Sequence, residues 1–184
     1  DTVDTPTKIS FVLWLLQKYG WCVEEPGDSS PKDISLFIAP KIEAAREACK
    51  ARPHNENNPY VLAVGDISGI QNYIFDIAST GVGGGVAKRL RARSLYVQLL
   101  SETAALQCLR AVENPLPICN VIMSSGGKFY VLLPNAPNIG ERLRAIQTEI
   151  DNWLLKELNG EIAINLAWVE FDEKGFGAGS GGFG

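Results

Sequence analysis

The sequence predicts an α+β fold, a four-stranded antiparallel sheet with helices on one face, behind a helical N-terminal extension. Three observations predict it. Short apolar runs at Val61–Val64, Cys119–Ser124, Phe129–Leu133 and Ile162–Phe171 read as strands. Segments with helical apolar spacing at 68–78, 86–113 and 139–158 lie between them. Ser125-Gly126-Gly127-Lys128 joins the middle two strands as a hairpin. The order strand, helix, hairpin, helix, strand is the split β-α-β pattern of a ferredoxin-like domain, in which the first and third strands are the inner pair.

Each element has its own local reason. Ile9, Val12, Leu13, Leu16 and Tyr19 fall on one helical stripe, so 7–19 is a predicted helix that Gly20 stops. Pro26-Gly27-Asp28-Ser29-Ser30-Pro31 is a loop. Pro40 precedes the Ala-rich stretch 41–50, a second predicted helix. The Asn-rich loop before Tyr60 marks a boundary, which makes 1–58 a helical lead-in and 59–174 the main domain. Within it, Asn114-Pro115-Leu116-Pro117 ends the long helix, and Asn159-Gly160 ends the last one. Residues 175–184 contain six glycines and are expected to be a flexible linker in a fragment of a longer chain.

Composition narrows the function classes. The chain has 184 residues, 46% hydrophobic and 21% charged, enough apolar material for a sizeable core. A net charge of −4 does not announce a nucleic-acid partner, so any basic site must be local. The longest early apolar run, Phe11 to Leu16, is far short of the roughly 20 residues a membrane span needs. Cys22, Cys49, Cys108 and Cys119 form no C-x-x-C pair, which disfavours a zinc knuckle and points to a reducing, cytoplasmic setting. The only histidine, His54, lies in a polar loop and is expected to be solvated, so serine–histidine and HExxH chemistry have no basis here.

Two constellations could carry chemistry. In the first, Val61–Val64 leads into Gly65-Asp66-Ile67-Ser68-Gly69, which reads as a strand tip, a tight turn and a helix start. Free N–H groups at Ser68, Gly69 and Ile70 would favour phosphate, and Asp66 could hold a divalent cation bridging it. The alternative is that Asp66 or Ser68 simply caps the helix. The topology brings Ser125-Gly126-Gly127 to the same edge, where paired glycines permit close backbone approach to a ligand or merely form a hairpin turn. Two-metal nucleotidyl transfer needs several carboxylates there, and the hairpin offers Lys128 and Phe129 instead. In the second constellation, Lys88, Arg89, Arg91 and Arg93 crowd the N-terminal end of the long helix, opposing its dipole. An anion would offset that cost, be it nucleotide phosphate or an RNA backbone. A solvated basic face paired with acids elsewhere is the other explanation.

These strings carry a resemblance. Gly65 to Phe75, Ala87 to Ser94, and Ser125-Gly126-Gly127-Lys128-Phe129-Tyr130 with Leu132-Leu133-Pro134-Asn135 are similar to the first Palm domain of the large subunit of Csm-type, type III CRISPR effector complexes. Lys18 to Val23 and Asp33 to Leu36 resemble the segment that joins that family's nuclease domain to the first Palm. The resemblance covers most of 18–171. It implies a cyclic oligoadenylate synthase parent that also carries a single-stranded DNA nuclease. There a second Palm with a Gly-Gly-Asp-Asp hairpin performs the synthesis with magnesium or manganese, and the first Palm binds ATP but has lost the paired aspartates. It implies no catalytic residue in this chain. Asp66, Ile67, Ser68, Gly69, Ser125, Gly126 and Gly127 would line half of an ATP site, with Asp66 as metal ligand and Lys88 and Arg89 on phosphate. Arg91 and Arg93 would meet guide RNA or a neighbouring effector subunit. Two rivals stand beside this: a structural module that packs on guide RNA and partner subunits without nucleotide, and a self-sufficient cyclase, against which the missing hairpin carboxylates argue.

Overall fold

The computed structural model describes residues 5–24, 35–79 and 85–176. The lead-in forms helices α1 (Thr5–Gly20) and α2 (Ile38–Lys50). The main unit runs β1 (Tyr60–Ser68), α3 (Ile70–Ser79), α4 (Val86–Cys108), β2 (Val121–Ser125), β3 (Lys128–Pro134), α5 (Ile139–Leu158) and β4 (Ala163–Phe171). One-turn 3-10 segments, Ile118–Asn120 and Glu173–Phe176, precede β2 and follow β4. All strand pairs are antiparallel and the sheet order is β2-β3-β1-β4, so the first and third strands are the inner pair, as expected.

Boundaries moved where neighbours overrode local signals. β1 continues to Ser68 because Ile67 and Ser68 pair with Ile164 and Ala163, and the helix after it begins at Ile70. α4 stops at Cys108 rather than near Glu113, since the Arg110 and Ala111 N–H groups turn back to Gln107 and Cys108. The expected strand at Cys119 begins as a 3-10 turn, and β2 starts only at Val121. α2 begins at Ile38, which places Pro40 in the first turn, where a missing N–H costs nothing. The loop 26–31 lies outside the described residues, as does most of the expected linker. Gly175 and Phe176, however, belong to the packed turn after β4. His54 is half-buried, its Nδ1 2.7 Å from the Arg52 carbonyl, rather than solvated.

Strand alternation sends side chains to two different faces. Val61, Ala63, Ile67, Phe129, Val131, Leu133 and Ile164 join Val97, Leu100, Ala104, Leu143 and Leu154 in the main core. On the opposite face, Tyr60 and Leu132 meet Ala45 and Cys49 of α2. The lead-in helix is thus seated on the sheet. Asn120, fully buried, fastens it by donating to the Ala45 and Leu132 carbonyls at 3.1 and 2.8 Å. Desolvation pushes the buried Cys49 thiol up to about 12, which marks it as a core residue rather than a reactive one.

The turn after β4 closes over the same end. Glu173 accepts from the Tyr60 hydroxyl (2.6 Å) and from Arg46 (2.5 Å) and pairs with Lys50 (3.0 Å), while Phe176 packs edge-on against Tyr60. The Tyr60 hydrogen bond, with Lys50 and Arg46 behind it, lowers the Glu173 carboxyl to about 2. A carboxyl held below its unfolded value stabilises the fold above that value, and the contribution is lost as pH falls toward 2. Glu173→Gln is therefore expected to lower stability near neutral pH by about 1 kcal/mol, the upper range for partly exposed ion pairs. Urea denaturation at pH 7 and pH 3 checks this: the gap between parent and variant should narrow at the lower pH.

Candidate functional site

The site begins with a packing constraint. Gly65 sits directly under the Phe129 ring, which occupies the space any Cβ at Gly65 would need. That contact lies on the helix-covered face, so Asp66 must point to the other face, beyond the end that α2 covers. Register places Asp66 between Lys128 on β3 and Asn165 on β4, with Ser125 of β2 opposite Lys128. Directly paired residues share a face, so Ser125, Lys128, Asp66 and Asn165 form one polar row across all four strands. Lys128 Nζ stands 3.9 Å from Asp66 Oδ1, and both side chains are 56% exposed. Behind the polar row lies a more apolar one, Met123, Tyr130, Val64 and Ala167.

The hairpin and the start of α3 close the edge of this shelf. Gly126 and Gly127 have φ of 61° and 88°, the pair of positive values a two-residue hairpin turn demands. The Ile67 N–H donates to the Gly127 carbonyl at 2.8 Å, tying β1 to the turn. Space beside Gly126 is open, whereas a Cβ at Gly127 would strike Ile70 and one at Gly69 would strike the Glu161 carbonyl. Neither Asp66 nor Ser68 caps α3: Asp66 pairs with Lys128, and the Ser68 hydroxyl donates to the Ala163 carbonyl at 3.4 Å.

The expected residues divide accordingly. Asp66, Ser68, Ser125 and Gly126 reach the exposed shelf. Ile67 does not: its side chain is in the core, and its N–H is spent on the hairpin. Gly69 and Gly127 act through their backbones, admitting Glu161 and Ile70. Asp66 is not at a strand tip, because the ladder runs two residues past it. Phe129, read as one of two residues replacing a carboxylate pair, is wholly buried on the far face, so only Lys128 stands beside Asp66. Among the described residues, no group of three or more His, Cys, Asp or Glu could hold a metal ion, which leaves Asp66 to contribute one carboxylate. Asn165 escaped sequence reasoning. Its outward position follows from the inward Ile164 and Leu166, but its neighbour on β1 depends on register.

The basic cluster lies elsewhere. α4 packs on the helix-covered face, and its first buried residue is Val97. Ser101 Oγ meets Ser124 Oγ of β2 at 3.2 Å, so Lys88 lies roughly 20 Å further along the helix axis at 1.5 Å per residue. Lys88, Arg89 and Arg91 are exposed on this overhang, and among the described residues they form no ion pair. Arg93 is engaged: it donates to the Tyr73 carbonyl and stacks 4.6 Å from the Tyr73 ring, joining α4 to α3.

What fold and site define is an α+β domain whose antiparallel sheet is clothed by helices on one face and left open at one end of the other. A family model, Csm1 subunit domain B, matches residues 59–181, and the chain belongs to that family. Proteins described as "CRISPR system single-strand-specific deoxyribonuclease Cas10/Csm1 (subtype III-A)" are similar to it. That of Thermococcus onnurineus is 30% identical over 118 residues, 64% of this chain and 14% of its own length. That of Mycobacterium tuberculosis is 32% identical over 143 residues, 67% of this chain and 17% of its own length. Among solved structures, Csm1 of T. onnurineus superposes with a TM-score of 0.70 at 26% identity, over 94% of this chain and 24% of that one. Csm1 in a Csm1–Csm4 cassette complexed with AMPPNP gives 0.63 at 28% identity, over 79% and 20%. The chain thus spans less than a quarter of the length of these relatives. Among the described residues, no helix is long and apolar enough to cross a membrane.

Three outcomes test this geometry by thermal or urea unfolding. Gly65→Ala forces Phe129 off its seat and is expected to cost about 1–3 kcal/mol, as overpacking does. Arg93→Ala removes a charge-assisted hydrogen bond and a ring contact and should cost about 1–3 kcal/mol. Lys88→Ala and Arg91→Ala should be neutral or slightly stabilising, because those cations oppose the α4 dipole.

Proposed function

We propose that this domain is a ferredoxin-like Palm, the non-catalytic ATP-binding half of a type III CRISPR cyclic oligoadenylate synthase subunit that acts in antiviral defence. The observation that carries the reading is the open polar row: Asp66 and Lys128 side by side, next to the uncrowded Gly126. Lys128 and the Ser125 hydroxyl offer donors to phosphate oxygens. Asp66 offers one oxygen ligand to a magnesium or manganese ion carried by the triphosphate. The apolar row behind them offers Tyr130 and Met123 to a base. Supporting it, structures similar to this chain include Csm1–Csm4 cassettes in complex with AMPPNP, pppApA, cA3 and cA4.

A single carboxylate beside a lysine can hold a nucleotide but cannot clamp two cations around a reacting phosphoryl group. The acids that do so belong, on this reading, to a second Palm domain of the same parent. The overhanging Lys88, Arg89 and Arg91 do not share the Asp66 face, and we assign them to a polyanion, guide RNA, or to another effector subunit rather than to the nucleotide. A domain that binds only RNA and subunits is the second reading, favoured by that same basic overhang, which forms no ion pair among the described residues.

Equilibrium titration of the chain with magnesium-ATP, by calorimetry or a fluorescent ATP analogue, separates the two. Binding that weakens about tenfold or more in Asp66→Ala or Lys128→Ala supports the nucleotide site. Titration curves unchanged by both variants overturn it, and so does any turnover of ATP to oligoadenylate by the chain alone.

A further inference from the structure

A cavity of about 350 Å³ lies where α1, α2 and α4 meet the outer edge of β2, and the nucleotide shelf uses none of it. Its walls are mixed: Trp14 and Leu13 of α1, Phe37, Leu106 of α4 and Ile118 form an apolar part, with Ser10, Gln17 and Ser124 set among them. One cation enters it. Lys41 of α2 is half-buried and donates to the Ile122 carbonyl at 2.9 Å, where a bulge between Val121 and Met123 leaves the edge strand irregular. That bond accounts for one of three ammonium protons and protects an edge strand. Among the described residues, no carboxylate pairs with Lys41, and burial draws its pKa down. A desolvated ammonium without a counter-ion is costly, and an arriving carboxylate would offset that cost.

The surroundings say what kind of carboxylate. α1 has no acidic residue between Thr5 and Gly20, and its charges are Lys8 and Lys18. Around the mouth, Trp14 is 51% and Leu106 44% exposed, and Phe11, 58% exposed, stacks beside Trp14, apolar surface that water covers at a cost. Glu102 at the α4 rim accepts from the Gln98 amide and would repel an anion there, leaving Lys41 as the point of attraction. A nucleic-acid backbone needs several spaced cations and has no use for an indole and leucine wall. We propose that this cavity is a docking site for a protein segment that presents a carboxylate among apolar side chains, the carboxylate seated on Lys41 and the apolar groups on Trp14 and Leu106.

The test uses the whole chain and two short blocked peptides, one with an aspartate flanked by leucines and one with asparagine in its place. The Trp14 indole N–H resonance is followed by NMR. The aspartate peptide is expected to shift it, and to bind about tenfold or more tightly than the asparagine peptide, the margin a charge-assisted contact supplies. Lys41→Met should erase that margin, and Leu106→Ala should weaken both peptides if the lysine variant fails to fold. Equal affinity for the two peptides overturns the proposal, as does no shift with either. Phenylbutyrate binding as tightly as the aspartate peptide overturns it in favour of a small-molecule site. Concentration-dependent dimerisation that buries Trp14 without peptide overturns it in favour of a second copy.

Discussion

The shelf depends on one contact, the Phe129 ring lying on Gly65. β1 is an inner strand, paired along its length with β3 and β4, so the facing of any one of its residues determines the rest. A bare glycine under an aromatic ring pins the helix-covered side at that point. Asp66 must then face outward, and register alone brings Lys128 and Asn165 to its flanks. A one-residue slip of β1 would bury Asp66 and expose Val61, Ala63 and Ile67, a change no sheet with a packed face tolerates.

The second organising fact is unequal cover. α4 and α5 pack most of one face, with α3 beside them. On the other, α2 and the turn after β4 cover only the end near Tyr60, held by Asn120 and by the Glu173 cluster. The far end stays open, and there the polar row lies. Charge is divided in the same way. The Asp66–Lys128 pair belongs to the open face, while the basic overhang of α4 rises from the covered one.

Much of this was legible in the sequence. Alternation and helical period are local properties, and they located all four strands, the hairpin and the long helices, including 139–158 to the residue. Family membership was legible too, because the Gly-Asp-Ile-Ser-Gly-Ile-Gln string and the Ser-Gly-Gly-Lys-Phe hairpin survive as contiguous text. What failed was non-local. Strand length past Asp66 depended on pairing with β4. Asn165 entered the row through register, and Ile67 was lost to the core by the same rule. Gly65 was read only as the end of a strand leading into Asp66, yet its role is to admit a ring from 64 residues away. The separation of Lys88 and Arg89 from Asp66 followed from which face α4 covers, which no linear motif records.

The most direct measurement of the central claim is an amide chemical-shift map of the chain on adding magnesium-ATP. The account predicts that the perturbed resonances cluster at Asp66 to Ser68, Ser125 to Lys128 and Asn165, with Lys88 to Arg91 unmoved. Shifts confined to the α4 overhang, or none at the polar row at saturating nucleotide, would contradict it.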